Sequence, residues 1–210
     1  MATRSPQLDE QQLGQLTTSF RWRHRFLTAP LGTKTKAVTG IVEASETFIR
    51  KSAKGSRTLK DQAPRKRATK ATKAARSMDE HDAVLIVRDR HGAATDAVLA
   101  DLTASTFEAV LRPIVAKDAV LVSDGCHAYG LFAKAAGIVQ FLLVARRGER
   151  TYGGFHIQNV NACTSRLKGW LARFRGVASR LLPNYLGWRL MIEREGSHLA
   201  PRDCLALAIG

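Results

Sequence analysis

From Ala37 onward the hydrophobic pattern switches between a period of two and a period of 3.6, and the order of the switches limits the fold more than any single motif does. AVTGIVEASETF (37–48) alternates as a strand, with Ile41, Glu43, Ser45 and Thr47 on one side and Val42, Ala44, Glu46 and Phe48 on the other. HDAVLIVRDR (about 81–90) and AATDAVLAD (about 93–101) read as two further strands joined by a turn at His91 and Gly92. A helix follows from Ser105, with Thr103 or Ser105 as its N-cap and Pro113 as its stop. DAVLVSDG (118–125) reads as a buried strand, 126–136 as a helix, and IVQFLLVARR (138–147) as another strand. After a turn through Gly148 and Gly153–Gly154 come a helix from His156 and a last one over about 184–195. Three strands, then helix, strand, helix, strand, helix, predict an α/β fold: a mixed sheet flanked by helices.

The helix expected from His156 is two-faced. Val160, Cys163, Leu167, Trp170, Leu171 and Phe174 fall within an arc of roughly 100°, the width of a core-facing stripe. Asn161 and Lys168 are two turns apart and share the opposite flank, with Ser165 and Arg175 near them. His156 reads as a capping or packing residue, and Cys163 as core. Taken alone, the pattern fits an amphipathic surface helix with a solvated basic face.

Charge gives the first pointer to a partner. The 210 residues carry 33 Lys and Arg against 18 Asp and Glu, a net +15. Such an excess suits a polyanion, nucleic acid first and an anionic membrane surface second. The stretch from Arg50 to Arg76 holds eleven Lys or Arg and one Asp, and includes the run Arg65, Lys66, Arg67. It reads as a basic insertion between strands, extended by self-repulsion and suited to salt-dependent binding of phosphates. Near the N-terminus, SFRWRHRFL interleaves Arg21, Arg23 and Arg25 with Phe20, Trp22 and Phe26; it could contact DNA or cap the next domain. Three scattered cysteines give no disulfide framework, and no apolar run reaches 18 residues. The expectation is a soluble cytoplasmic protein with no membrane association.

Several stretches together carry a family resemblance. HIQNVNACTSRLKGW and LLPNYLGWR, with VRDRHGAATDAVL, AVLVSDGCHAY, GIVEASETF and FRWRHRFLTAP upstream, resemble the ISXO-two-like insertion-sequence transposases of the DDE superfamily. The resemblance covers roughly Phe20 to Arg189. It implies a ribonuclease-H-like catalytic domain at 37–195 with the basic insertion at 50–76. Residues 1–36 would then be a polar tail with the remnant of a helix-turn-helix DNA-binding region, and 196–210 a C-terminal tail. Relatives carry a zinc ribbon before this point; this chain has no CxxC, so an N-terminally truncated recognition region is expected.

The resemblance also implies roles. Asp124, in a Ser-Asp-Gly context, matches the second metal ligand, and Asn161 matches the third acidic position, where the subgroup resembled here uses Asn. Lys168 matches a lysine that touches DNA phosphate. The cofactor would be Mg²⁺ or Mn²⁺, and the partners transposon ends and target DNA, contacted by Arg21, Arg23, Arg25, Arg65, Lys66, Arg67, Lys168 and Arg175. A homo-oligomer is left open. The implied reaction is two-metal phosphoryl transfer, in which cutting at the transposon terminus precedes attack of the freed 3′-hydroxyl on target DNA.

One position departs from the pattern. The family run is Val-Glu-x-Asp-Glu-Thr, whose Asp is the first catalytic carboxylate; here Ser45 occupies it. A neutral hydroxyl replaces an anionic ligand, so the metals would be held weakly and cleavage impaired. Glu43 lies two residues along the same strand face, and Glu46 faces away. A non-catalytic DNA-binding remnant and a basic RNA-binding protein remain alternatives.

Overall fold

The computed structural model describes residues 16–56, 77–144, 147–149, 151–198 and 200–209. Residues 1–15 and the run Arg65, Lys66, Arg67 lie outside them. Two compact units are present: Lys34–Pro183, and Met1–Thr33 together with Asn184–Gly210.

The first unit is built on a five-stranded sheet in the order β3-β2-β1-β4-β5. Its strands are β1 (Ile41–Arg50), β2 (His81–Asp89), β3 (Ala94–Leu99), β4 (Val120–Ser123) and β5 (Val139–Leu142). β1, β2 and β3 form an antiparallel meander, while β4 and β5 run parallel to β1. Helices α3 (Ala104–Leu111) and α4 (His127–Ala136) supply the crossovers, and α5 (Gln158–Ala172) follows the last strand. The sheet is mixed and the fold α/β, consistent with the ribonuclease-H-like domains of DDE transposases.

The two faces of β1 lead to different layers. Val42 and Ala44 join Leu85, Val87, Leu99 and Leu121 against Phe107, Leu111, Tyr129 and Phe132 of α3 and α4. Phe107 and Tyr129 meet edge to face at 5.0 Å, the geometry favoured by the ring quadrupole. On the opposite face α5 packs over β1 and β2 and buries Val160, Cys163, Leu167 and Leu171. Trp170 and Phe174, expected in that stripe, are half-buried at its edge.

Several boundaries differ from the sequence reading, each for a local reason. β5 ends at Leu142 rather than running to 147, because β4, its neighbour among the described residues, ends at Ser123. As an edge strand it leaves Val139 and Leu142 exposed, so an apolar run there did not imply burial. α3 starts at Ala104, one residue before the expected Ser105, and is capped by Thr103, one of the two expected candidates, whose hydroxyl accepts from the Thr106 amide. α5 starts at Gln158 rather than His156, because residues 151–156 form a hairpin of β6 (Thr151–Tyr152) and β7 (Phe155–His156) around Gly153–Gly154.

The second unit is helical, with α1 (Leu16–Phe26), α2 (Ala29–Gly32), α6 (Leu182–Glu195) and α7 (Pro201–Ile209). Residues 201–209, expected as part of a tail, are thus helical, and α7 packs against α1 and α2. Gly187 of α6 lies so close to α2 that a β-carbon there would sit 3.0 Å from the Leu31 backbone nitrogen. No helix among the described residues is long and apolar enough to cross a membrane.

Candidate active site

The geometry follows from a buried acid. Glu43 points from β1 towards α5 and is fully buried. A carboxylate without water must find donors within the protein. The backbone amides of Asn159 and Val160 donate to its Oε2 at 2.9 and 3.0 Å, and Asn159 Nδ2 donates to Oε1 at 2.8 Å. Arg90 Nε completes an ion pair with Oε1 at 3.1 Å. The first turn of a helix leaves amides without intrahelical partners and carries the positive end of its dipole, so a negative charge is favoured there. Ile157, at the N-cap position, makes no side-chain cap. Glu43 replaces it from a strand, 116 residues before Asn159 in the chain.

Arg90 extends the network. Its Nη1 reaches His156 Nε2 at 2.8 Å, and its Nη2 donates to the Gly154 carbonyl at 3.1 Å. A guanidinium can only donate, so His156 Nε2 accepts from it; His156 Nδ1 lies 3.3 Å from the Gln158 amide nitrogen and 3.5 Å from Glu43 Oε1. His156 is thus the last residue of β7, held in this network, rather than the first residue of the helix.

The three positions singled out in the sequence lie on β1, just after β4 and on α5. Ser45 lies two residues beyond Glu43 on the same strand face and is buried. β1 and β4 are parallel, and their last registered pair is Ala44 with Ser123. Ser45 and Asp124 are the residues that follow this pair on the two chains, Ser45 still within β1 and Asp124 just past the end of β4. Asp124 is half-buried, and its Oδ1 accepts from the Cys126 amide at 3.2 Å, turning the chain into α4. Asn161 is exposed in the first turn of α5, one residue past Val160, whose amide Glu43 holds. The Glu43 brace ties the first turn of α5, which also carries Asn161, to β1.

Neither neighbouring glutamate stands in for a carboxylate at 45. Glu43 is committed to α5 and Arg90. Glu46 points to the opposite face, where Tyr129 donates its hydroxyl to Oε2 at 3.0 Å. Burial, and then the charges of Glu46 and Asp124, hold the Tyr129 hydroxyl well above the usual tyrosine range. The donor set at the three positions is one hydroxyl, one carboxylate and one amide. Among the described residues no group of three or more His, Cys, Asp and Glu gathers as a metal site. A pair of divalent ions, which needs several anionic oxygens, does not fit this set.

The model of the ISXO2-like transposase domain matches residues 37–188. The chain belongs to that family. It is an insertion-sequence transposase of the DDE superfamily, a group that generally uses divalent metal. No curated protein matches the chain.

The remaining expected contacts fall in both units of this transposase. Lys168 on α5 and Arg175 beyond it are exposed, and Arg175 has a φ of 49°, unusual for a residue other than glycine. The loop carrying it is fastened by Lys54, whose Nζ donates to the carbonyls of Phe174 and Gly176 at 2.8 and 3.0 Å. Lys54 belongs to the basic segment, so part of that segment has a structural task. In the helical unit Arg21, Arg23 and Arg25 are exposed on α1, with Arg25 lying over the Trp22 ring at 5.5 Å. The sequence reading missed Arg90 and Asn159. The signal for them was a glutamate on a strand face destined for burial, which demands donors.

Proposed function

We propose that this transposase acts on transposon-end and target DNA through the Ser45, Asp124 and Asn161 positions, and that its strand cleavage is lost or very slow. The observation that carries this reading is the identity of residue 45. A hydroxyl stands where a carboxylate is needed, and both nearby glutamates are bonded elsewhere. Asp124 and Asn161 would hold Mg²⁺ or Mn²⁺ weakly, since an amide oxygen can coordinate but adds no charge. Lys168, Arg175, the arginines of α1 and the basic segment with Arg65, Lys66 and Arg67 would bind phosphate. Each neutralised phosphate releases counterions, so affinity falls steeply with salt.

The test is a cleavage assay on duplex DNA carrying the element's own ends, with magnesium, for the unmodified chain and for Ser45→Asp. Cutting confined to the substituted protein is the expected result. Robust cutting by the unmodified chain refutes the impairment. The net charge of +15 also suits a second reading, a DNA-binding remnant that occupies ends without cutting them. That reading predicts salt-sensitive DNA binding with no cleavage by either protein. A preference for RNA of the same length would contradict both.

A further inference from the structure

Between β5 and α5 the chain makes the small hairpin β6–β7, and its exposed aromatic ring has no part in the site described above. Tyr152 is 67% exposed, although it pairs in register with Phe155. Cross-strand partners share a face of a hairpin, and both rings flank Phe141 of β5. Phe141 and Phe155 are nearly parallel with centroids 3.9 Å apart; Phe141 and Tyr152 are 5.8 Å apart and inclined by 27°. Three rings therefore form a short stack whose end member is largely open to solvent. A ring serving only to glue the hairpin to β5 would bury most of its area, as hydrophobic gain scales with area removed from water.

Two more features bear on what the open ring meets. Gly154 has no positive φ, and a β-carbon there would touch nothing, so neither backbone conformation nor packing requires glycine at this place. With Gly153 beside it, the tip carries no side chain that would screen an approaching flat group. The hairpin is also fixed to the site. Arg90 donates to the Gly154 carbonyl and pairs with Glu43, two residues from Ser45 on the same strand. β4 and β5 are parallel, so the chain that becomes the hairpin leaves the sheet at the end where Asp124 follows β4.

We infer that Tyr152 is a stacking platform for an unpaired DNA base at the end being handled, with the Phe141–Phe155 pair as its rigid backing. The inference rests on the DNA-acting reading above and assigns it a specific base-contacting residue. Stacking suits an end whose terminal bases have left the duplex, since every base has a π-face and no sequence need be read.

The probe is a duplex oligonucleotide with a three-nucleotide single-stranded 3′ extension containing 2-aminopurine, compared with the blunt duplex at low salt. The unmodified chain is expected to bind the extended probe more tightly and to quench its fluorescence. Tyr152→Leu keeps an apolar contact with Phe141 but has no π-face. It should lose the quenching and about tenfold in affinity for the extended probe, with blunt-duplex binding unchanged. Tyr152→Phe should behave as the unmodified chain. If Tyr152→Leu quenches and binds as the unmodified chain does, the stacking role is overturned while the DNA-acting reading stands. If the unmodified chain binds neither probe, that reading falls and the platform with it.

Discussion

Replacing Glu43 by Ala should be among the most destabilising single changes in the sheet unit. The substitution strips two first-turn amides of α5 and the Asn159 side chain of their acceptor, and leaves Arg90 beside an emptied pocket. Leaving buried donors unsatisfied costs about 1–3 kcal/mol each. Breaking a buried ion pair by removing one partner costs about 3–5 kcal/mol in total, and that figure already includes much of the same loss. We therefore expect about 3–5 kcal/mol, a large part of the 5–15 kcal/mol that ordinarily separates folded from unfolded states. Glu43→Gln keeps one acceptor oxygen but turns an amide group towards Arg90 or Asn159 Nδ2, and should cost less, about 2 kcal/mol. The assay is urea unfolding followed by circular dichroism, paired with hydrogen exchange at the Asn159 and Val160 amides. Glu108→Ala, which removes an exposed i,i+4 pair with Arg112, is the control and should cost at most about 0.5 kcal/mol. An Ala variant within 1 kcal/mol of the unmodified chain, with both amides still protected, would refute the view that a strand carboxylate caps this helix.

Other outcomes follow from separate parts of the molecule. Gly187→Ala places a methyl group against the Leu31 backbone and should destabilise the helical unit by about 1–3 kcal/mol, read as a lowered thermal midpoint. Tyr129 has its hydroxyl pKa raised by burial, so the stability it contributes is complete below the unfolded value near 10 and is lost as pH climbs from there through the folded value. Alkaline unfolding should therefore be shallower in Tyr129→Phe, and identical alkaline limbs would contradict the assignment. Lys168→Ala should weaken DNA binding uniformly across sequences and lower the slope of log affinity against log salt by about one; an unchanged slope would remove Lys168 from the interface.

How far the sequence discloses this molecule depends on how local each feature is. The two faces of β1 were legible because strand periodicity is two: Val42 and Ala44 meet the helical core, Glu46 meets Tyr129, and Glu43 faces α5. Thr103 as a cap was legible for the same reason, since its partner is three residues away. The cap of α5 was not. Its acceptor lies on another strand, and no rule that inspects the flanking residues finds Glu43. The hairpin did leave a signal, two glycines between Tyr152 and Phe155, which is a two-residue turn flanked by aromatic positions. Reading Gly153–Gly154 only as a connection before a helix hid it. Positions 45, 124 and 161 were marked by family resemblance, but the pairing of β1 with β4, the strands in or just after which the first two lie, comes from the register. Register between strands more than seventy residues apart is decided by tertiary packing.

The claim at the centre of this account is that residue 45 leaves the cation cradle short of an anionic ligand. The most direct test is a titration of Mn²⁺, followed by electron paramagnetic resonance, into the unmodified chain, Ser45→Asp and Asp124→Asn. Weak binding by the unmodified chain, at least tenfold tighter binding by Ser45→Asp, and further loss in Asp124→Asn are predicted. Equal Mn²⁺ affinity in the unmodified and Ser45→Asp proteins would contradict it.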